Sequence, residues 1–414
     1  MKLLILGAGN AQFNAIARAK EQGHTVIVSD YYPDPPGKAI ADFHEQVSTF
    51  DVEGNVGIAQ KYGVDGIMTL GTDQPVYTAA EVAQKLKLPA FLDVATAKAV
   101  THKEIMKEKF QEAGIPTAKY RLLPKNFSDR ELAGISFPVV VKPLDSQGQR
   151  GVYKLQSIAE IREVFEDVLS YSRESRILVE EYYPSEEITV SGWVVNGETF
   201  LISVVDRVSL ENQRHIGICI AHHLPSKFLD WHYQEILKLS KQIVDSFKIA
   251  NGPIYFQMLI GAAGIKVNEI ACRIGGAYED IYLHRATGID ILGMLIDASL
   301  GRELAVFDLK NHDLLHNPKR LSVELFFANP CKVGALADID KINQLPGVVR
   351  ARYHYRVGDQ IHPIANATQR AGYLIIEGSN QADLKEKIEG AYRELSIYDE
   401  FGKNQIIRFS SNGY

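Results

Sequence analysis

The sequence contains few cysteines and no long hydrophobic run, and each absence excludes a class of protein. Only 3 of the 414 residues are cysteine. Their spacing, at Cys219, Cys272 and Cys331, forms neither a disulfide framework nor a zinc-binding pattern. No apolar stretch approaches the ~20 residues that a membrane-spanning helix needs. We therefore expect no transmembrane segment and a reducing, cytoplasmic compartment.

The sequence also has no excess of positive charge. With 45 Lys and Arg against 51 Asp and Glu, the formal net charge is -6, which gives no electrostatic reason to expect nucleic acid or an anionic membrane as a partner. The first residues, Met1–Gly9, have the pattern of a buried strand that leads into a turn, so we expect no signal peptide there. At 414 residues, 46% hydrophobic and 23% charged, the chain is predicted to form two or three soluble globular domains.

Strands and helices alternate in the first 93 residues. Phe13, Ile16 and Ala17 mark one face of a helix that ends at Gly23, and short apolar runs mark the strands. The predicted strands are Leu3–Leu6, Val26–Val28 and Gly66–Leu70. This pattern predicts an open α/β domain with a parallel sheet over residues 1–93.

The turn Gly7–Gln12 partly matches a dinucleotide-binding fingerprint. Asp30 follows about 20 residues further on, as in NAD-binding domains. Gln12, however, stands where the third glycine is needed for close packing of helix against strand. Two interpretations stay open: an NAD-dependent oxidoreductase, or a Rossmann-like domain whose turn needs small residues for its geometry alone.

The next region places two lysines at structurally defined positions. A helix is predicted over Thr96–Ala113, and Lys103 borders its buried face. The buried strand Phe137–Pro143 delivers Lys142 at its end. The loop Asp145–Gly151, rich in hydrogen-bond donors, follows at once.

Further strands and one helix complete the expected fold. Asn196-Gly197 is a type I′ turn signal between two strands. A third region is expected from residue 301. The predicted elements are strands Ile177–Tyr183, Ile188–Val195, Thr199–Val205, Leu321–Phe327 and Gly372–Ile376, and helix Ala382–Leu395.

The segments Gly252–Ile260 and Ile265–Gly276 are predicted to form a β-hairpin. Side chains alternate across a strand, so Glu269, Ala271 and Arg273 share one face. A carboxylate beside a guanidinium, next to two glycines, suits a metal-bound polyphosphate. The alternative is a surface strand with a cross-strand ion pair.

In their order along the chain these parts resemble the ATP-grasp superfamily of carboxylate–amine and carboxylate–thiol ligases. The order is strand with lysine, glycine loop, strand with Glu-Glu, hairpin, and a hairpin with Gln…Glu-x-x-x-Arg. The resemblance covers essentially the whole chain and implies an α/β and α+β fold. It implies a Rossmann-like pre-ATP-grasp domain at residues 1–93, a split ATP-grasp core at 94–300 with its lid at 120–190, and a small C-terminal α+β domain at 301–414.

The resemblance also implies an ATP site. Lys103 and Lys142 would reach the α- and β-phosphates, and Glu187 would bind the ribose hydroxyls. The Glu180 carbonyl would accept from the adenine amino group, and an N–H near Tyr182 would donate back. The positions implied for ATP are Lys103, Lys142, Ser146, Gln147, Gly148, Glu180, Glu181, Tyr182, Tyr183 and Glu187.

For the metal, Mg²⁺ or Mn²⁺, the resemblance implies Gln257 and Glu269 as ligands. Arg273 would contact the γ-phosphate and then the acyl phosphate. Ala271 stands where the family usually has an Asn ligand, and Asn268 is expected on the opposite face. With one protein carboxylate, the metal is expected to bind mainly together with the nucleotide.

The sequence offers several candidate residues for the substrate site. Among its candidates, Arg214 is favoured for a substrate carboxylate because its planar fork binds bidentately. The substrate candidates are Asp73, Arg214, His215, His223, Gly275 and Gly276.

The predicted activity is that of an ADP-forming ligase. ATP would phosphorylate a small carboxylic acid, expected to be an amino acid, and an amine would attack the acyl phosphate. Lys142 and Arg273 are the predicted catalytic residues, and the partners would be the acid and the amine, with a homodimer left open. The alternatives are an NAD-dependent oxidoreductase and a non-catalytic nucleotide-binding protein, which Ala271 makes credible.

Overall fold

The computed structural model describes residues 1–210, 216–316 and 319–409. Its N-terminal region is a four-stranded parallel sheet in the order β3-β2-β1-β4. β1 and β2 are rich in Val, Ile and Leu, and β1, β2 and β4 are almost fully buried, as expected for a parallel sheet covered on both faces. The elements are β1 (Lys2–Leu6), α1 (Phe13–Glu21), β2 (Thr25–Ser29), β3 (Phe43–Glu45), α2 (Val52–Tyr62), β4 (Gly66–Thr69) and α3 (Gln74–Leu86).

The helix predicted over Thr96–Ala113 is in fact two helices, α4 (Val94–Thr101) and α5 (Lys103–Glu112). His102 between them is extended, with φ −115° and ψ 111°. The N–H of Lys103 donates to the Leu144 carbonyl at 3.0 Å, a tertiary bond in place of a helical one. The break therefore comes from a distant partner that helical periodicity does not reveal, and it makes Lys103 the first residue of α5.

A small antiparallel sheet in the order β5-β8-β6-β7 follows, with α6 packed against it. Its central strands β6 and β8 deliver Lys142 and Glu180. The elements are β5 (Tyr120–Pro124), β6 (Val139–Pro143), β7 (Tyr153–Leu155), α6 (Ile158–Ser170) and β8 (Arg176–Glu181).

The largest sheet has nine strands and runs from the central region into the C-terminal region. Its order is β13-β12-β9-β10-β11-β14-β18-β16, and β20 also pairs with β14. Large apolar clusters cover it. Its strands are β9 (Ser185–Val195), β10 (Glu198–Leu210), β11 (Ile218–Leu224), β12 (Gly252–Gly261), β13 (Gly264–Ala271), β14 (Arg320–Ala328), β16 (Val348–Tyr353), β18 (Gly372–Gly378) and β20 (Ile406–Ile407).

Helices and a three-stranded sheet complete the described chain. The remaining elements are α7 (Leu229–Phe247), α8 (Glu279–Thr287), α9 (Ile291–Ser299), α10 (Phe307–Lys310), β15 (Cys331–Leu336), α11 (Ile339–Asn343), β17 (Gln360–Ile361), α12 (Gln381–Glu394) and β19 (Ile397–Asp399), with short 3-10 helices at Pro36–Ala39, Asp129–Leu132 and Ala367–Gln369. None of the helices in the described residues is long and apolar enough to span a membrane.

Both predicted hairpins are present. Asn196 and Gly197 have φ of 49° and 81°, as a type I′ turn requires. In the hairpin of β12 and β13, Gln257 pairs with Glu269 but Met258 pairs with Val267, so Asn268 is the extra residue of a β-bulge. Its side chain accepts from Lys142 Nζ at 2.9 Å. The expectation that Asn268 faces away from the site is therefore wrong, because the bulge interrupts the alternation.

Candidate nucleotide and substrate cleft

One cleft of about 1270 Å³ lies where the N-terminal, central and C-terminal regions meet. Its walls contain most of the residues singled out from the sequence. Those that line it are Asp73, Lys103, Lys142, Ser146, Gln147, Gly148, Glu180, Glu181, Tyr182, Tyr183, Glu187, His223, Gln257, Glu269, Arg273 and Gly276. Arg214 and His215 lie outside the described residues.

The two predicted phosphate lysines enter the cleft from different elements. Lys103 Nζ, at the start of α5, donates to the Ser146 carbonyl at 2.7 Å and lies 3.2 Å from Glu269 Oε1. Lys142 Nζ, near the end of β6, lies 2.7 Å from Glu180 Oε2. Burial by itself would lower the pKa of Lys142, but the carboxylate of Glu180 outweighs burial and the pKa is raised. Lys142 is therefore a permanent cation at neutral pH.

Glu180 is the centre of a buried charge cluster that the sequence did not predict. Its second oxygen lies 2.5 Å from Lys107 Nζ, and only 2% of the Lys107 side chain is exposed. Burial would raise the pKa of Glu180, but Lys107 and Lys142 together lower it to about 2. Lys107 follows Lys103 by four residues on α5, so the i, i+4 spacing was the signal available in the sequence.

The predicted adenine segment is partly engaged within the protein. The N–H of Tyr182 donates to the Pro138 carbonyl at 2.9 Å, and that of Glu181 donates to the Lys119 carbonyl at 2.9 Å. Lys154 Nζ lies 3.7 Å from the centre of the Tyr182 ring. Since the Tyr182 N–H already donates to Pro138, a neighbouring N–H would have to donate the hydrogen bond to the adenine.

Glu187, the predicted ribose residue, forms a buried pair with Arg207 directly opposite it on β10. The two side chains meet at 2.5 Å through Glu187 Oε2. Glu187 Oε1 is buried and has no hydrogen-bond partner among the described residues. One oxygen thus anchors the side chain, and the other is free to accept from a hydroxyl group.

The hairpin of β12 and β13 places a neutral oxygen opposite a carboxylate. Gln257 and Glu269 are register partners, and Gln257 Oε1 is buried without a hydrogen-bond partner among the described residues. Burial would raise the pKa of Glu269, but Lys103 and Lys142 lower it, so the group is ionised. Hard oxygen donors of this kind fit Mg²⁺ or Mn²⁺. The described residues contain no group of three or more His, Cys, Asp or Glu that could hold a metal by itself.

Arg273 is held at the boundary with the N-terminal region. Its Nε donates to Asp73 Oδ1 at 2.6 Å, and its guanidinium lies 4.2 Å from the centre of the Tyr255 ring. The N–H of Asp73 in turn donates to Gln147 Oε1 at 2.5 Å. The predicted phosphate loop, the predicted catalytic arginine and the N-terminal region therefore meet at Asp73.

Three of the substrate candidates contact other parts of the protein. The N–H of Gly275 donates to Glu279 Oε2 at 2.6 Å, and Gly275 is not among the residues that line the cleft. A Cβ at Gly276 would lie 2.7 Å from the Gly71 carbonyl oxygen, so this glycine permits close approach of the N-terminal region. His223 Nε2 lies 3.8 Å from Glu324 Oε1 at the cleft wall.

The turn of the N-terminal region is filled by its own side chain. Gln12 Nε2 donates to the Leu70 carbonyl at 2.5 Å, and Gln12 Oε1 accepts from the Gly9 N–H at 3.1 Å. These bonds explain why a glutamine replaces the third glycine. They also occupy a backbone donor that a dinucleotide pyrophosphate would need, which disfavours the NAD interpretation.

Comparisons with known proteins identify two domains in the chain. The model of the ATP-grasp domain matches residues 135–279, and that of the L-amino acid ligase C-terminal domain 2 matches residues 324–400. Dapdiamide A synthase from Enterobacter agglomerans is 24% identical over 361 residues, which cover 82% of this chain and 83% of that protein. An L-arginine-specific L-amino acid ligase from Bacillus subtilis is 25% identical over 280 residues, 64% of either protein.

Among solved structures, an L-amino acid ligase from Bacillus licheniformis is similar with a TM-score of 0.80. The match covers 96% of this chain and 98% of that one at 17% identity, so it bears on the fold alone. The first family match contains the phosphate loop and the hairpin of Gln257 and Glu269, and the second begins on β14. The chain therefore contains an ATP-grasp domain at residues 135–279 and, at residues 324–400, the C-terminal domain of the L-amino acid ligases.

Proposed function

We propose that this protein is an ATP-dependent, ADP-forming ligase that joins a small carboxylic acid, an amino acid, to an amine. The observation that carries the proposal is the convergence of Lys103, Lys142 and Arg273 on one cleft, beside the ionised Glu269 and the unpartnered oxygen of Gln257. Three cations and a pair of metal-type oxygens suit a nucleoside triphosphate and its metal ion.

The proposed reaction has two steps, phosphorylation of the acid and attack by the amine. A carboxylate oxygen of the acid attacks the γ-phosphorus of ATP, and the bond to the β-phosphate oxygen breaks, giving an acyl phosphate and ADP. The amine nitrogen then attacks the acyl carbon, phosphate leaves, and the amine loses a proton to give the amide. The protein contributes position and charge, because neither step needs a protein nucleophile.

Individual side chains have separate tasks in this scheme. Lys103 and Lys142 would neutralise charge on the phosphates, and Arg273 would hold the transferred phosphoryl group with its fork. Gln257 and Glu269 would hold Mg²⁺, which when bound neutralises phosphate charge. The free oxygen of Glu187 would accept from the ribose hydroxyls.

A location in the cytosol remains part of the proposal, supported by the three free cysteines, which suit a reducing compartment. A homodimer likewise stays a prediction.

ADP release measured over a panel of amino acids, offered both as acid and as amine, tests the function. Hydroxylamine, as an artificial amine, would trap the acyl phosphate as a hydroxamate. Transfer of ¹⁸O from the labelled carboxylate into phosphate separates ligation from simple ATP hydrolysis. ATP binding without any acid-dependent ADP release would favour the non-catalytic alternative, and NAD binding without ATP binding would favour the oxidoreductase.

A further inference from the structure

Arg370 is a cleft arginine whose charge is not neutralised by a carboxylate in the described part of the chain. Arg207 and Arg273, which line the same cleft, are paired with Glu187 and Asp73 at 2.5 and 2.6 Å. Within the described residues, the Arg370 side chain makes one hydrogen bond, from Nη2 to the Cys219 carbonyl at 3.3 Å, and its Nε is buried without a partner. A guanidinium in this setting is stabilised by an anion that fits its fork.

Two consecutive hydrogen bonds anchor the backbone carbonyl of Arg370. Its carbonyl oxygen lies 3.0 Å from His354 Nδ1, and His354 Nε2 lies 2.6 Å from the Tyr278 hydroxyl. A carbonyl can only accept, so Nδ1 carries the proton and Nε2 accepts from Tyr278. The Tyr278 ring stacks on Tyr373 with 3.7 Å between ring centres. The guanidinium therefore projects from a fixed frame, which favours binding without reorganisation.

His222 supplies a second, independent sign of a ligand. Its side chain lines the same cleft and is 1% exposed, yet neither ring nitrogen has a hydrogen-bond partner among the described residues. Burial lowers the pKa of His222 well below its usual value, so the ring is neutral and has one N–H to donate. Buried polar atoms are rarely left unsatisfied, and a polar ligand would satisfy this one.

Resting on the proposed ligase function, we propose that Arg370 and His222 bind a substrate carboxylate that does not react. The carboxylate converted to acyl phosphate belongs beside Arg273 and Glu269, whose charges serve the transferred phosphoryl group. The Arg370 guanidinium would bind a second carboxylate by two parallel hydrogen bonds, and His222 would donate one further hydrogen bond to it. This second group belongs either to the amine substrate, if that is an amino acid, or to the acid, if that is dicarboxylic.

Kinetics with matched substrate pairs test the proposal and tell the two sources apart. The amine arm compares L-alanine with L-alaninamide, and the acid arm compares succinate with succinamate. In one arm, wild-type kcat/KM should favour the carboxylate by about 100-fold, and Arg370→Gln should remove that preference. Arg370→Lys should recover part of it, because it keeps the charge without the fork. His222→Phe should weaken the preference by about tenfold, as one lost hydrogen bond predicts.

The controls separate this role from a structural one. In the Arg370 variants the KM for ATP and the activity on the amide substrates should stay within about threefold of wild type. Arg162→Gln removes an arginine that pairs with Asp129 at 2.6 Å and is 46% exposed, and it should change neither arm. An equal loss on carboxylate and amide substrates, or no loss at all, would overturn the proposal.

Binding without turnover keeps the proposal distinct from the proposed function. With ADP and Mg²⁺ present, L-alanine or succinate should raise the Tm of the wild type but not that of Arg370→Gln. If no acid–amine pair releases ADP, the ligase function fails, and the Tm comparison still decides the role of Arg370. A wild type stabilised by neither carboxylate, and without preference in either arm, contradicts the inference.

Discussion

At the scale of single residues, the cations proposed to bind phosphate already have carboxylate partners. Glu269 pairs with Lys103, Glu180 with Lys142, and Asp73 with Arg273. These partners fix the three cations in position before ATP arrives. They also compete with the phosphates, so nucleotide binding has to displace or share each pair.

Lys142→Ala tests the electrostatic role of this set. It should lower kcat/KM by roughly 10²–10³, comparable to the loss of one preorganised donor in other active sites. Steady-state ADP release measures the effect. Lys125→Ala is a suitable control, because Lys125 is 73% exposed in its pair with Glu166. A Lys142 variant with nearly unchanged kinetics would show that this lysine is structural.

Lys107→Met tests the buried cluster through stability. Removing one partner of a buried ion pair typically costs about 3–5 kcal/mol, since the other charge is left under-compensated. Here Lys142 still faces Glu180, so we expect the free energy of unfolding, measured in urea, to fall by about 3 kcal/mol. The double variant Lys107→Met with Glu180→Gln should recover part of this loss. If the two single effects simply add, the two residues are not coupled.

Glu180 also predicts how stability depends on pH. Its pKa falls from 4.5 to about 2 on folding, so its contribution is complete above pH 4.5 and is lost as pH falls towards 2. The difference in unfolding free energy between wild type and Glu180→Gln should shrink by about 3 kcal/mol over this range. Asp383 has a similarly lowered pKa, but its pair with Lys387 is partly exposed. Asp383→Asn should therefore change the pH profile far less, because water screens the pair.

At the scale of elements, the loop of Asp145–Gly151 caps a helix from another region. Gln147 Oε1 accepts from the N–H groups of Asp73 and Gln74 at 2.5 and 3.3 Å. These are the first donors of α3, whose N-cap Asp73 makes no side-chain cap bond and whose second residue is Pro75, which has no N–H. The predicted phosphate loop and the N-terminal region are thus joined by a capping interaction.

Gln147→Ala should remove that cap at a cost of about 1 kcal/mol. Hydrogen exchange at the amides of Asp73 and Gln74 should then accelerate roughly fivefold, and proteases should cut the loop faster. Gln147→Glu keeps an acceptor and adds charge that suits a helix N-terminus, so it should retain protection. Equal exchange rates in the alanine variant and the wild type would contradict the capping role.

The elements also show where sequence patterns suffice. Alternation and turn residues predicted the hairpin around Asn196 and that of β12 and β13, because both depend on local chemistry. The break at His102 and the bulge at Asn268 were missed because each is stabilised by a distant partner, the Leu144 carbonyl and Lys142 respectively. In the site, motif order predicted that the residues proposed to bind phosphate lie close together. The spacing of Lys103 and Lys107 places Lys107 near them, but it does not show that Lys107 is buried against Glu180.

At the scale of the whole molecule, the N-terminal region is positioned against the central region by polar contacts and close backbone packing. Arg18 pairs with Asp290 at 2.6 Å, and Asn14 donates to Asp280 at 3.0 Å. A Cβ at Gly276 would lie 2.7 Å from the Gly71 oxygen. This packing sets the distance over which Asp73 reaches Arg273.

Gly276→Ala should push the N-terminal region away from the cleft. We expect a loss of about 1–3 kcal/mol in unfolding free energy, as for overpacking elsewhere, and a lower kcat. Gly390→Ala is the matched control. Gly390 lies inside α12, and a Cβ added there would have the Arg393 side chain as its nearest neighbour, at 3.6 Å. The alanine should therefore raise the free energy of unfolding by about 0.5–1 kcal/mol. Unfolding in urea and ADP release measure both variants, and wild-type behaviour of Gly276→Ala would show that the interface yields.

The nine-stranded sheet has a consequence for how this polypeptide can be divided. Strand β11 pairs with β14, so one sheet is assembled from both sides of the junction between the central and C-terminal regions. All seven residues of β11 are buried in the intact chain. A fragment that ends before β14 would leave β11 as an unpaired edge strand, which can pair with other chains, so the fragment should aggregate. Two fragments produced in the same cell should instead recombine across β11 and β14, which offers a position for building a split reporter whose signal depends on reassembly.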